Sequence, residues 1–351
     1  MSLPPAIDAA RAVSDPAAPA CADPVLLDDW HPVVRSSDLG CGALAGVRLL
    51  GRDIVVWRDG DAGLHAWQDR CPHRGTRLSA GRVDGNQLVC AYHAWRFDGA
   101  GRCMAIPAMP AQRPPQAACA AAWHACEAYG LVWVCVGVPA TPVLPFPEHA
   151  DARLNKVVCG PYDVATSGPR IVENFLDMAH CPFVHAGILG EPAHTEVRDY
   201  QVEAWDDGSG LAGPRATGCR FWQPQTNSLA HGGSEVEYTY RVVRPLCAIL
   251  TKAPDAQLGF YEAISLHVQP LAETASRVWI VLALTNFVQS DAELAAFQDR
   301  IFLQDRPILE AQVPARLPLS SDAEVSMACD RMSVAYRRYL AARGLRWGVV
   351  A

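Results

Sequence analysis

The feature that most constrains this chain is a pair of short arms, Cys71–His73 (CPH) and Cys90–His93 (CAYH), inside the stretch CPHRGTRLSAGRVDGNQLVCAYHAW. One residue separates Cys71 from His73, two separate Cys90 from His93, and sixteen lie between the arms. Each arm offers one thiol and one imidazole. A zinc finger usually groups its cysteines in one knuckle and its histidines on a helix, so the mixture points away from that use. It suits two metals side by side, each taking one ligand from each arm. A [2Fe–2S] cluster with two Cys on one iron and two His on the other has this donor set. The Gly, Pro and Arg around the arms fit tight loops that clamp a cluster from both sides. A structural zinc, or Cys and His simply buried in a core, are the competing readings.

The chain has 351 residues, enough for two domains with cores of their own. A formal net charge of −7 without a Lys/Arg run gives no sign of a nucleic-acid or acidic-membrane partner. No apolar stretch reaches membrane-spanning length. The opening residues, MSLPPAIDAARAVSDPAAPACADP, lack a basic start followed by an apolar run, so they do not read as an export signal. Rich in Ala and Pro, residues 1–24 read as a disordered extension. Thirteen cysteines in a chain this long argue against a disulfide framework and for a reducing cytoplasm.

Between 25 and 137, short apolar runs such as VRLLGRDIVVWRD, NQLVCAYHAWRFDG and YGLVWVCVG are punctuated by Gly and Asp. They predict a small all-β domain with the ligand arms as loops. The following segment, 138–150, carries four prolines in VPATPVLPFPEH and reads as a linker. The remainder, 151–351, opens with a helical pattern, SGPRIVENFLDMAH. Alternating runs come next. EVEYTYRVV and LGFYEAISLHVQ are two, the latter with Leu258, Phe260, Ile264, Leu266 and Val268 on one face. SRVWIVLALTNF is apolar on both faces, as in a central strand covered twice. Helical patterns close the chain in DAELAAFQDRIFLQDRPILEAQV, with Leu294, Phe297 and Ile301 on one side, and in VSMACDRMSVAYRRYLAARG, ending at Gly344. The fold class is α+β: an all-β first domain, then an antiparallel sheet with flanking helices.

A second constellation lies in ENFLDMAHCPFVH, Glu173–His185. In the helix expected over 171–181, Asp177 and His180 share a face. Pro182 turns the chain, and His185 can swing back beside His180. Two histidines with an open side begin a 2-His-1-carboxylate site for Fe(II). Spacing alone leaves Asp177, Asp299, Asp305 and Glu310 open as the third ligand.

Together the two motifs resemble the α subunits of the Rieske non-haem iron oxygenases, from about Asp28 to Gly344. By that resemblance Cys71, His73, Cys90 and His93 hold the cluster, and His180, His185 and Asp305 hold the mononuclear iron. Asp177 is then a bridging carboxylate between an iron-bound His and a cluster His of a neighbouring subunit in a homotrimer. Asn174 matches a polar residue near the iron. The chain departs from the family at Ala94, where Gly is common and a displaced loop is expected, and at Gln304, where relatives often carry an acid. Respiratory-type Rieske proteins carry an extra disulfide pair where this chain has Thr76 and Tyr92.

The C-terminal half is similar to the vanillate, dicamba and methylxanthine demethylases and to saxitoxin-type hydroxylases. The resemblance implies a monooxygenase that uses O₂ to hydroxylate an O- or N-methyl group of a small organic substrate. Direct hydroxylation or dioxygenation of a natural product or arene is the alternative, and a pure electron carrier the rival from another class. No GxGxxG after a strand and no plant-type ferredoxin spacing are present, so electrons from NAD(P)H imply a separate reductase or ferredoxin. Asn286 is a candidate polar contact in a mainly apolar pocket.

Overall fold

The computed structural model describes residues 19–230 and 232–351. Of the extension expected to be disordered over 1–24, residues 1–18 lie outside that range. Residues 19–24 correct the expectation, because they are tied down. Cys21 is buried and its amide donates to the Leu50 carbonyl at 3.0 Å. Asp23 caps helix α1 (Pro24–Leu27) by accepting from the Val25 amide at 3.0 Å, and it also accepts from the amide of Arg346 at 2.6 Å. One carboxylate thus joins the two ends of the described chain, which an Ala/Pro-rich composition does not reveal.

The first part is all β. Strands β1 (His31–Arg35), β2 (Leu44–Leu49), β3 (Arg52–Arg58) and β4 (Leu64–Gln68) are followed by β5 (Arg82–Asp84), β6 (Gln87–Val89), β7 (Arg96–Phe97) and β8 (Cys103–Ala105). Then come β9 (Ala122–Ala128) and β10 (Leu131–Cys135). They form a six-stranded sheet in the order β1-β10-β9-β4-β3-β2 and a four-stranded sheet β5-β6-β7-β8. The CPH arm precedes β5 and the CAYH arm links β6 to β7, so both arms sit at the small sheet.

The proline-rich segment ends in a short helix, α2 (Pro147–Ala150), and it is packed: Leu144 and Phe146 are buried. The second part has β11 (Asn155–Val164), helices α3 (Gly168–Leu176) and α4 (Cys181–Val184), then β12 (Gln201–Ala204), β13 (Pro214–Gln223) and β14 (Ser234–Arg244). β15 (Cys247–Pro254), β16 (Glu262–Ala272) and β17 (Ala275–Leu284) follow, then α5 (Asp291–Ala311), β18 (Leu317–Pro318), α6 (Arg331–Ala342) and β19 (Val349–Val350). The large sheet runs β11-β17-β16-β15-β14-β13-β12, antiparallel throughout.

Period-two alternation divides this sheet into two faces. Val243, Cys247, Ile249, Ala263, Trp279, Val281 and Ala283 form one core cluster with Leu131 and Trp133 of β10 and with the linker residues Leu144 and Phe146. Leu250, Ile264, Leu266, Ile280, Leu282 and Leu284 face the other way, toward α3 and α5. Each large apolar side chain fully buried in these layers contributes about 1.5–3 kcal/mol. β17 is thus central and covered on both faces, as its sequence indicates. β16 is buried on both faces too, but its one-face reading overreached: Leu258 is 98 % exposed and Phe260 lies in the turn before the strand. A turn residue obeys no alternation.

The two parts also share polar contacts. The Leu50 and Gly51 amides donate to the carbonyls of Pro270 (2.7 Å) and Leu271 (3.0 Å), and Arg35 Nη1 donates to the Val158 carbonyl at 2.8 Å. Helix α5 starts on a capping box, Ser290 with Glu293, worth about 1 kcal/mol. Pro307 lies inside α5 and deprives the Leu303 carbonyl of its amide partner; Leu303 is on the exposed side, where water can serve. Helix α6 begins later than its sequence pattern, at Arg331, behind a single 3₁₀ turn at Ala328–Asp330. No helix among the described residues is long and apolar enough to cross a membrane.

Candidate active site

The two arms fold alike. In the first, Cys71 N donates to Thr76 O (2.8 Å) and Gly75 N to Cys71 O (2.9 Å); in the second, Cys90 N donates to Trp95 O (3.0 Å) and Ala94 N to Cys90 O (3.1 Å). The fifth residue of each loop is left-handed, Gly75 at φ 74° and Ala94 at φ 53°. Ala94 thus takes up a left-handed conformation that glycine adopts freely, at a cost of about 1 kcal/mol. Ala94→Gly is expected to raise the thermal midpoint of the holoprotein by about 2 °C, read by calorimetry; an unchanged or lower midpoint would show that the loop carries no such strain.

Cys71 and Cys90 are buried, while His93 is exposed and its ring centroid lies 4.5 Å from that of His73. His73 stacks flat on Trp95, with 4.4 Å between centroids and 8° between planes. Burial, reinforced by Cys90 and partly offset by the His73 backbone, pushes the Cys71 thiol up to about 11. It is no reactive thiolate by itself, and only a bound metal would deprotonate it outright. His73 Nδ1 is buried without a hydrogen-bond partner among the described residues. Two adjacent buried thiols and an orphaned imidazole nitrogen are a donor set that a [2Fe–2S] cluster satisfies.

The second constellation is assembled from α3, α4 and α5. Helix α3 ends at Leu176, and Asp177 is its extended C-cap with ψ 140°. Asp177 and His180 therefore do not share a helical face, contrary to the sequence expectation. They meet through a turn in which the Asp177 carboxylate competes with the helix for backbone donors. It accepts from the amides of Ala179 (3.0 Å) and His180 (3.2 Å) and from His180 Nδ1 (2.9 Å). Burial alone would raise the Asp177 carboxyl, but the His180 bond and charge and these amides hold it below its ordinary value. Pro182 does not turn the chain either. It sits in the first turn of α4, where its missing N–H costs nothing.

His185 follows α4 and is fully buried. Its Nε2 lies 3.1 Å from Asp305 Oδ1, and His180 Nε2 lies 3.5 Å from the same oxygen. One donor atom from each of the three falls within 4.8 Å of the others, a spacing that can hold one metal ion. His185 Nδ1 is 2.9 Å from Gln304 Oε1, so the amide accepts its proton and leaves Nε2 free toward the centre. Burial opposes protonation of His185, but Asp305 and Gln304 carry its pKa above the ordinary value. Asn174 Nδ2 approaches Asp305 Oδ1 at 3.5 Å. The other acids left open by spacing are engaged elsewhere. Asp299 accepts from the Tyr162 hydroxyl at 2.5 Å, and Glu310 accepts from the Ala165 amide at 3.1 Å and from Arg306 Nε at 3.0 Å.

A cavity of about 910 Å³, counting its open mouth, is lined by Asn174, Asp177, His180, His185 and Asp305 on one side and by aliphatic side chains of β15–β17 on the other. A mostly apolar wall with a few convergent polar groups is the makeup of a site for a small organic molecule. Asn286 is not among the lining residues. Its Oδ1 accepts from the Val288 (3.0 Å) and Gln289 (3.2 Å) amides, making it the turn residue ahead of α5. Two features escaped the sequence reading: the acceptor role of Gln304 and a Lys252–Glu262 pair in the cavity wall. The only signal for the latter was a lysine at an alternate position of the apolar run CAILTKAP.

Residues 29–122 match the Rieske [2Fe–2S] domain and residues 164–345 the vanillate O-demethylase oxygenase C-terminal domain. The chain belongs to the Rieske non-haem iron oxygenases. It is similar to a probable methylxanthine N7-demethylase, NdmC, of Pseudomonas sp. (strain TJI-51), with 40 % identity over 220 residues, 63 % of this chain and 77 % of that protein. It is 30 % identical to the methylxanthine N1-demethylase NdmA of Pseudomonas putida over 324 residues, 89 % of this chain and 87 % of that one. The solved structure of NdmA from Pseudomonas putida CBB5 with caffeine superposes with a TM-score of 0.76 at 28 % identity, covering 90 % of each chain. As a Rieske oxygenase this chain is an enzyme of O₂, a [2Fe–2S] cluster and non-haem iron, and the oxidative-demethylation reading agrees with the activities those relatives are named for. The electron-carrier reading needed an inert second domain and is set aside.

Proposed function

We propose that this oxygenase removes an N-methyl group from a small, neutral nitrogen heterocycle. The observation that carries the reading is the apolar cavity with His180, His185 and Asp305 on one wall and a rim of aliphatic sheet residues opposite. His180, His185 and Asp305 would hold Fe(II); Cys71, Cys90, His73 and His93 would hold the cluster. Bound there, the two centres supply O₂ activation and stored electrons.

The chain's own residues do the rest. Leu250, Ile264, Leu282 and Phe302 exclude water and present a methyl group to the metal side. Gln304 fixes the His185 ring and Asp177 the His180 ring, so both Nε2 atoms point inward. The overall change takes N–CH₃, O₂, two electrons and two protons to N–CH₂OH and water, and the N–CH₂OH product then releases formaldehyde and leaves N–H.

In this reading residues 25–137 are the cluster domain, 151–351 the iron domain, and 138–150 their connection. The protein works as a homotrimer in which Asp177 meets a cluster histidine of the next subunit. Its carboxylate is partly exposed, His93 is exposed, and the apolar side chains Tyr92 and Phe183, both 64 % exposed, flank the two sites. A separate NAD(P)H-dependent reductase supplies electrons. Thirteen unpaired cysteines support a cytoplasmic setting.

The test is aerobic turnover of the holoprotein with a surrogate reductase on N-methylated heterocycles. Formaldehyde is expected in step with substrate-dependent O₂ uptake. Steady cis-diol formation from an arene without formaldehyde would replace this reading by dioxygenation.

A further inference from the structure

The cavity wall contains one feature that the demethylation chemistry leaves unused. Lys252 on β15 and Glu262 on β16 are register partners in the sheet. Their side chains point to the cavity face, beside Leu250 and Ile264, and Lys252 Nζ lies 2.8 Å from Glu262 Oε2. Both are buried, at 3 % and 7 % exposure. Burial would lower the Lys252 pKa, but the Glu262 charge, with Tyr238, carries it above the ordinary value. The neighbouring Tyr238 hydroxyl accepts from Gln223 Nε2 at 2.8 Å.

Such a pair is not needed to hold the sheet together. Replacing a buried ion pair with well-packed apolar residues is often neutral or stabilising. What the pair adds is unused capacity. An ammonium has three donors and a carboxylate two accepting oxygens, and among the described residues each has only the other as a close polar partner. A permanent anion would be drawn to Lys252 and repelled by Glu262, and a cation the reverse. The chemistry that completes both without charge is a hydrogen-bond acceptor beside a donor on one rigid edge.

We propose that Lys252 and Glu262 read a ring amide, the carbonyl accepting a hydrogen bond from the Lys252 ammonium and the adjacent N–H donating one to Glu262, so that the substrate is a methylated heterocycle retaining an unmethylated lactam or imide edge. This deepens the demethylase reading and rests on it. Such a substrate already carries fewer methyl groups than its fully methylated parent, so an earlier N-demethylation or a partial N-methylation must supply it.

The test is calorimetric titration of the anaerobic, iron-loaded holoprotein with 7-methylxanthine, which keeps ring N–H groups beside carbonyls, and with caffeine, which has none. The native protein is expected to bind 7-methylxanthine at least about 10-fold more tightly, because caffeine offers no N–H to the carboxylate capacity that Lys252 leaves open on Glu262. In Lys252→Met/Glu262→Leu the ratio is expected to fall to about one. In Lys252→Gln/Glu262→Gln, which keeps an uncharged donor beside an acceptor, most of the preference should survive. Equal or tighter binding of caffeine by the native protein overturns the proposal, and so does an unchanged ratio in the Met/Leu variant. Equal or tighter binding of caffeine by the native protein overturns the proposal even where the Met/Leu variant does not fold, and the Gln/Gln variant, nearly isosteric, then reports whether the pair's donor and acceptor carry the preference. Failure of the demethylase reading is separate: it shows as no formaldehyde from either compound, whatever the binding ratio.

Discussion

Asp305→Ala is expected to abolish turnover and to lower the iron content from about three to about two atoms per chain, while acid-labile sulfide and the visible cluster spectrum stay unchanged. Asp305 Oδ1 is the atom on which His180 Nε2 and His185 Nε2 converge, at 3.5 and 3.1 Å, and it is the one anionic donor of the three. Without it two neutral imidazoles face a divalent cation in a largely apolar cavity, and neither supplies compensating charge. The cluster arms lie in the first part of the chain, each held by its own backbone bonds, so they have no reason to respond. Retention of the third iron, with activity, would transfer the role to another acid; loss of sulfide as well would mean that the variant had lost its fold. Iron and sulfide analysis on anaerobically purified protein separates these outcomes.

Asp177→Asn is expected to keep both metal sites loaded and still cut turnover by about 10²-fold. Asparagine preserves the shape and keeps an oxygen for the His180 ring, the donor now found 2.9 Å from Asp177. It loses the negative charge and one acceptor. The carboxylate is held below its ordinary pKa, despite burial, by His180 and the backbone amides, so it is ionised in the working range. An ionised carboxylate can accept from two imidazoles at once, which is what a bridge between the centres requires. The fall should lie in kcat, with KM changed little, because Asp177 positions a histidine rather than the substrate. Reduction of the cluster by the reductase should be as fast as in the native protein, and single-turnover transfer from cluster to substrate oxidation should be slow. Activity within about threefold of native would remove the bridge from the proposal.

Much of this protein was legible in the order of its residues because the relevant interactions are local. The two arms are loops closed by their own hydrogen bonds, so Cys and His spacing along the chain is also spacing in space. The alternation in β14 reports a sheet because side chains two apart must share a face. His180 and His185 flank a single short helix, which keeps them neighbours wherever the segment lies.

What the sequence could not show is where distant segments meet. By spacing alone four acids were equally placed as the third donor and only the family resemblance pointed to Asp305; the packing of α5 over the sheet brings Asp305 to the histidines while turning Asp299 to Tyr162 and Glu310 to Ala165. The early end of α3 is likewise a contest, won by backbone donors that the Asp177 carboxylate satisfies outside the helix. The Lys252–Glu262 pair depends on the register of β15 with β16, and the ordering of residues 19–24 on amides near the far end of the chain. The residues and local spacing determined which metals this chain can hold and the kind of sheet that carries them. Tertiary structure alone set the approach of the carboxylate to the histidines, the ring orientations and the cavity's polar spot, because each depends on the meeting of surfaces whose separation along the chain carries no record of their contact.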